Sequence, residues 1–129
     1  MAVTDVAVVR VLIVDNHELI RASLMVDLSR YTDLDVVGAA ADGEEAIALT
    51  EQLKPDVILM DLQMPVMDGL TASGHIKSEF PNIRIIAYTS LEDPQAEVMA
   101  QTAPIDRFCY KGIKTEELVE LIRQVIQLP

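Results

Sequence analysis

Five short apolar runs alternating with five helix-forming stretches predict an α/β protein, a single doubly wound parallel sheet of five strands with helices on both faces. Two observations carry that expectation. The strand-like runs are apolar throughout instead of alternating, as strands covered on both faces are. Each is followed within a few residues by a helical stretch, and strand–helix–strand units close right-handedly onto one parallel sheet. At 129 residues the chain fits one domain with a real core. No repeat, low-complexity tract or linker divides it, so residues 1–8 read as an N-terminal extension and 9–129 as the domain.

The elements follow in order. Val9–Val14 is a β-branched run closed by Asp15-Asn16, and Ile20, Leu24 and Leu28 follow at helical spacing. A second strand is expected at 34–40, after which Asp42-Gly43 turns the chain into a helix over 44–53 that stops before Pro55. Val57–Met60 forms the third strand, and its helix runs from about 69 to 79, with Asp68-Gly69 as its starting turn and Phe80-Pro81-Asn82 as its break. The fourth strand is expected at 83–89 and a fourth helix at about 94–102, with Pro94 in its first turn. Residues 106–110 form the fifth strand. Thr115 is expected to cap a last helix whose Leu118, Leu121, Ile122, Val125 and Ile126 make one stripe, while Glu116 and Glu117 suit its N-terminal dipole.

Composition narrows the function. A formal net charge of −11 argues against a nucleic-acid surface on this chain, because phosphate binding is driven by Lys and Arg. Cys109, the single cysteine, sits in the apolar run Phe108-Cys109-Tyr110 and is expected to be a buried hydrophobe without an internal disulfide, which fits a reducing cytoplasm. The apolar stretch at 6–14 is interrupted by Arg10, is too short to span a bilayer and lacks a basic leader, so neither export signal nor membrane anchor is read.

One carboxylate stands out. Asp61 ends the apolar strand Val57–Met60, where an ionisable group is costly unless it is solvated, paired or bound to a metal. Taken alone, it reads equally as a cap for the next loop, as Asp15 and Asn16 do for the first helix. In a parallel sheet, however, all the strand tips share one edge, which lines the ligand crevice. That edge would carry Asp15, Asn16, Asp61, Thr89, Ser90 and Lys111. Two neighbouring carboxylates either share a proton or bind a cation. An oxygen-only set selects a hard ion such as Mg²⁺. A carboxylate beside Mg²⁺ and a lysine is suited to accept a phosphoryl group, with Thr89 and Lys111 contacting its oxygens. His17 and His75 are expected to lie too far apart for a metal pair, and neither is assigned a role.

The run Val14-Asp15-Asn16-His17, the run Met60-Asp61-Leu62-Gln63-Met64-Pro65 with Asp68-Gly69, the triplet Tyr88-Thr89-Ser90 and the run Phe108-Cys109-Tyr110-Lys111 together resemble the receiver domain of two-component response regulators. His17, Asp35-Val36-Val37-Gly38 and Ala41-Asp42-Gly43-Glu44-Glu45-Ala46 look most like its NarL/FixJ branch. The resemblance implies a flavodoxin-like sheet of strand order 2-1-3-4-5. It implies a signalling domain and not an enzyme, catalysing only its own phosphorylation and dephosphorylation. Asp61 matches the phosphoacceptor, supplied by a sensor histidine kinase. Asp15, Asn16, Asp61 and the Gln63 backbone carbonyl match the Mg²⁺ ligands, Thr89 and Lys111 the pair that contacts the phosphoryl group, and Thr89 and Phe108 the switch. A homodimer on phosphorylation and a separate C-terminal DNA-binding domain are the further implied partners.

The chain departs from the family at several positions. Asn16 stands where a second acid is usual, which predicts weaker Mg²⁺ binding and slower phosphorylation. Gly112 follows Lys111 where proline or aspartate is usual, which predicts a freer loop before the last helix, and Pro104 and Arg107 replace common glycines, which predicts a reshaped region between the fourth helix and the fifth strand. These departures keep open a degenerate receiver that acts as a phosphorylation-independent interaction module. A small phosphohydrolase using an aspartyl-phosphate is the third reading, opposed by Gln63 at the position where such enzymes carry a second Asp.

Overall fold

The computed structural model describes residues 7–64, 66–90, 101 and 104–129. Its elements are β1 (Val9–Val14), α1 (Glu18–Leu28), β2 (Leu34–Ala40), α2 (Gly43–Leu53), β3 (Val57–Met60), α3 (Gly69–Glu79), β4 (Arg84–Thr89), β5 (Arg107–Tyr110) and α4 (Thr115–Val125). All strands pair in parallel in the order β2-β1-β3-β4-β5, the doubly wound topology expected from the sequence. The fourth helix expected at about 94–102 lies outside the described residues apart from Gln101.

The apolar runs form strands because both of their faces are covered. Alternate residues of β1 and β3 feed two separate cores. Val11, Ile13, Val57 and Leu59 pack with Leu24 and Leu28 of α1 and with Leu118, Ile122 and Val125 of α4. Leu12, Val14, Ile58 and Met60 pack with Ala46 of α2 and with Ala72 and Ile76 of α3. Each large side chain so buried contributes about 1.5–3 kcal/mol, which fixes the central strands and therefore where their tips end. Cys109 lies in the first core, where burial pushes its thiol up to about 12 and leaves it an unreactive hydrophobe.

Side-chain caps set two of the four described helix starts. Asp42 accepts a hydrogen bond from the Glu45 N–H and Asp68 one from the Thr71 N–H, both as N-caps. Thr115 is a correction: it is the first residue of α4, and the N-cap is Lys114, an extended residue whose side chain makes no capping bond. Strand β5 also starts one residue later than expected. Asp106 instead turns its carboxylate to β4, accepting from the Ile85 N–H at 2.8 Å and pairing with Lys77 at 2.7 Å and Arg84 at 3.4 Å. Burial raises the Asp106 carboxyl, but these donors and cations outweigh it and hold the group below the usual carboxylate range. No helix among the described residues is long and apolar enough to cross a membrane.

Candidate functional site

The two central strands end level with one another. The Asp61 N–H donates to the Val14 carbonyl at 2.9 Å and the Asp15 N–H to the Ala40 carbonyl at 3.0 Å, so each acid stands one residue beyond its strand. Both carboxylates are buried, Asp15 at 0% and Asp61 at 2% exposure. Lys111 follows β5, its N–H held by the Thr89 carbonyl at 2.6 Å. Its ammonium lies 2.8 Å from Asp15 Oδ2 and 3.2 Å from Asp61 Oδ2. One cation thus serves two buried acids, leaving a local excess of one negative charge.

The remaining oxygens are held by the chain that leaves each strand. Asp61 Oδ1 accepts the Gln63 N–H at 3.1 Å, and Asp15 Oδ1 accepts the His17 N–H at 2.8 Å. Both are side-chain turns in which an aspartate bonds the backbone two residues on. In the second, the turn brings the His17 ring back to the carboxylate, with Nδ1 at 2.9 Å from Asp15 Oδ1. Arg21 of α1 donates to the Asp15 carbonyl at 2.7 Å. Asp15 Oδ2 is buried and is paired with the Lys111 ammonium at 2.8 Å.

The loop after β3 is built around close backbone approach. Gly69 lies so near the Asp61 carbonyl that an added Cβ would overlap it, and its N–H donates to the Leu62 carbonyl at 3.1 Å. Gly43 likewise carries no side chain where the Met67 backbone and side chain press on α2, and its N–H reaches the Met67 carbonyl at 3.0 Å. Val66 sits at φ 69, a left-handed conformation that costs a β-branched residue about 1–3 kcal/mol.

The other expected residues share the edge without all meeting. Thr89 ends β4, is 1% exposed and lies in register with Tyr110, but its hydroxyl makes no hydrogen bond to Asp15 or Asp61 among the described residues. Phe108 is half-buried against Leu62, Ala87 and Ile105, with its ring edge-on to Tyr110 at 4.9 Å. Gln63 is exposed and meets Asp61 through its N–H. Asn16 is exposed, and its side chain makes no hydrogen bond among the described residues. The sequence reading passed over His17. One ligand atom each from Asp15, His17 and Asp61 lie within 4.8 Å of one another. The legible signal was its position two residues after a strand-tip aspartate.

Burial pushes the Asp61 carboxyl above the usual range, and the Lys111 charge offsets this only in part. An acid raised by folding stabilises the native state fully below its unfolded value and loses that contribution as pH rises through the folded value. Ionised Asp61 is therefore a net cost at neutral pH. Asp61→Asn is expected to stabilise the protein by about 1 kcal/mol at neutral pH, since Lys111 keeps its pair with Asp15. The gain should vanish as pH falls through the ordinary carboxylate range. Urea midpoints at neutral and acidic pH check this, and a gain that persists in acid would contradict it.

Two buried acids that share a single lysine and bring ligand oxygens within 4.8 Å of one another fit a divalent cation. Comparison with known proteins agrees with this architecture. The family model of the response regulator receiver domain matches residues 11–123. The response regulator protein VraR of Staphylococcus aureus is 38% identical over 116 residues, covering 90% of this chain and 56% of that protein, so the chain spans about half the length of the curated relatives it matches. The response regulator domain of Thermotoga maritima CheB superposes with a TM-score of 0.84 at 34% identity, covering 95% of this chain and 98% of that one. The signal receiver domain of the putative response regulator NarL from Mycobacterium tuberculosis superposes with a TM-score of 0.87 at 29% identity, over the same shares. That likeness agrees with the NarL/FixJ features of the sequence, and on the strength of the span matched the chain belongs to the response regulator receiver domain family.

Proposed function

We propose that this domain is a phosphoacceptor: Asp61 takes a phosphoryl group from a sensor histidine kinase in the cytoplasm in a Mg²⁺-dependent step. The observation that carries this reading is the Lys111 ammonium shared by Asp15 and Asp61 at the strand tips. An Asp61 oxygen attacks phosphorus, the O–P bond forms as the N–P bond of phosphohistidine breaks, and the electron pair returns to the imidazole nitrogen. Asp15, Asp61, the Gln63 carbonyl and the Asn16 amide are the groups that would hold Mg²⁺. When bound, the ion neutralises charge on the transferring group. Lys111, already poised over both acids, pairs with the phosphoryl oxygens.

The response to that new charge runs through Thr89 and Phe108. The Thr89 carbonyl accepts the Lys111 backbone N–H, and Phe108 packs on Leu62, the residue next to Asp61. A shift of Lys111 and Thr89 toward the phosphoryl group would repack Phe108 and alter the surface around β5. Homodimerisation and control of a separate DNA-binding domain are the outputs this reading assigns. Beryllofluoride with Mg²⁺ should shift the amide NMR signals of Thr89, Phe108 and Lys111. No shift at millimolar Mg²⁺ would favour the phosphorylation-independent module instead, the reading supported by an uncharged, exposed Asn16. Asn16→Asp is expected to raise Mg²⁺ affinity about tenfold, read by calorimetry. An unchanged affinity would show that position 16 does not limit the metal site.

A further inference from the structure

We infer that Arg21 is a positioning residue: it fixes the turn that aims the Asp15 carboxylate, and through that turn it governs Mg²⁺ affinity and the rate at which Asp61 is phosphorylated. The inference rests on the proposed function and adds to it a residue from outside the strand tips.

Arg21 is the fourth residue of α1, six positions after Asp15. Side chains on a helix lean toward its N-terminus, so a long one at this place reaches back over the end of β1. Half-buried Arg21 does so, and its Nη1 donates to the Asp15 carbonyl at 2.7 Å. A cation in the first turn of a helix is opposed by the dipole, a cost that the contact with the carbonyl offsets.

Asp15 is held at four points. Its N–H donates to the Ala40 carbonyl at 3.0 Å, Oδ1 accepts the His17 N–H at 2.8 Å, Oδ2 pairs with Lys111 at 2.8 Å, and the carbonyl accepts from Arg21. The whole residue is buried, so its carbonyl is costly to leave without a partner, and the peptide would turn to find one. That peptide joins Asp15 to Asn16, and it lies between the Asp15 carboxylate and the His17 N–H that steadies it. Turning it draws the His17 N–H off Oδ1 and loosens the carboxylate from Lys111. Arg21 thus acts on the acid pair through the backbone, in the way that groups behind the ligands of a metal centre orient them. Position and charge predict opposite effects on the ion. Loss of a nearby positive charge favours a divalent cation, whereas loss of the turn's anchor weakens its binding.

Calorimetry with Mg²⁺ and the rate of labelling by acetyl phosphate test the inference on the whole chain. Arg21→Met keeps the apolar stem and removes the donor, Arg21→Lys keeps charge and a donor, and Arg30→Met removes an exposed arginine just past the other end of α1. Arg21→Met should weaken Mg²⁺ binding about tenfold and slow labelling alongside, while lowering Tm by only about 5 °C. Arg21→Lys should return both quantities to within about threefold of the wild type, because the contact uses one nitrogen and not the fork. Arg30→Met should match the wild type. Without Mg²⁺, Arg21→Met should shift the Asn16 and His17 amide signals in the NMR spectrum. Unchanged or tighter Mg²⁺ binding in Arg21→Met, an equal loss in Arg21→Lys, or unmoved Asn16 and His17 amides would overturn the inference. A wild type that neither binds Mg²⁺ nor takes the label rejects the proposed function and this inference with it, whereas wild-type binding and labelling that Arg21→Met leaves intact reject this inference alone.

Discussion

Lys111→Ala is expected to destabilise the domain by about 3 kcal/mol at neutral pH, lowering Tm by roughly 10 °C. The lysine is the cation that Asp15 and Asp61 share, at 2.8 and 3.2 Å, and both carboxylates are buried. Without it, two like charges remain buried side by side, which costs far more than the pair itself gains. Three companion measurements identify the cause. Acidification should restore stability as one carboxylate protonates, and millimolar Mg²⁺ should restore it by replacing the charge. The double variant with Asp61→Asn should regain most of the loss, a strong non-additivity. A deficit unaffected by pH, Mg²⁺ and Asp61→Asn would mean that Lys111 acts by packing its stem and not by its charge.

Gly69→Ala is expected to cost about 2–3 kcal/mol even though alanine is the better helix former by about 1 kcal/mol. The added Cβ would overlap the Asp61 carbonyl and come within 2.9 Å of the Leu62 Cα, and these are backbone atoms that cannot rotate away. Either α3 or the tip of β3 has to move, and the second displaces Asp61 from Lys111. The variant should therefore lose stability and beryllofluoride response together. Gly74, in the same helix, has no atom within 4 Å of the position its Cβ would take, so Gly74→Ala should stabilise by about 0.5–1 kcal/mol. Urea unfolding of both variants checks the pair. A neutral Gly69→Ala would show that the β3–α3 junction yields without cost.

What the sequence revealed and what it hid divide along a physical line. Strand order and both cores follow from Val9–Val14 and Val57–Met60, whose unbroken apolar character demands cover on both faces. Asp15, Asp61, Thr89 and Lys111 were legible for the same reason, since a polar residue closing such a run stands at the shared edge. The residues that escaped were those whose roles depend on distant partners or on a turn. Asp106 reads as the first residue of a strand, yet it ties β4 to Lys77, a residue 29 positions earlier in the chain. His17 reads as a lone surface histidine until the turn at Asp15 folds its ring back over the carboxylate. Asn16 occupies a site position by spacing, but a turn residue's direction is not encoded in spacing, and it faces solvent. Lys114 caps α4 because the backbone is extended there, with no side-chain signal to read.

The phosphoacceptor role of Asp61 is tested most directly by intact-protein mass spectrometry after incubation with acetyl phosphate, with and without Mg²⁺. The wild type should gain the mass of one phosphoryl group only when Mg²⁺ is present, and Asp61→Asn should gain none. Equal labelling of Asp61→Asn, or no labelling of the wild type at millimolar Mg²⁺, would contradict it.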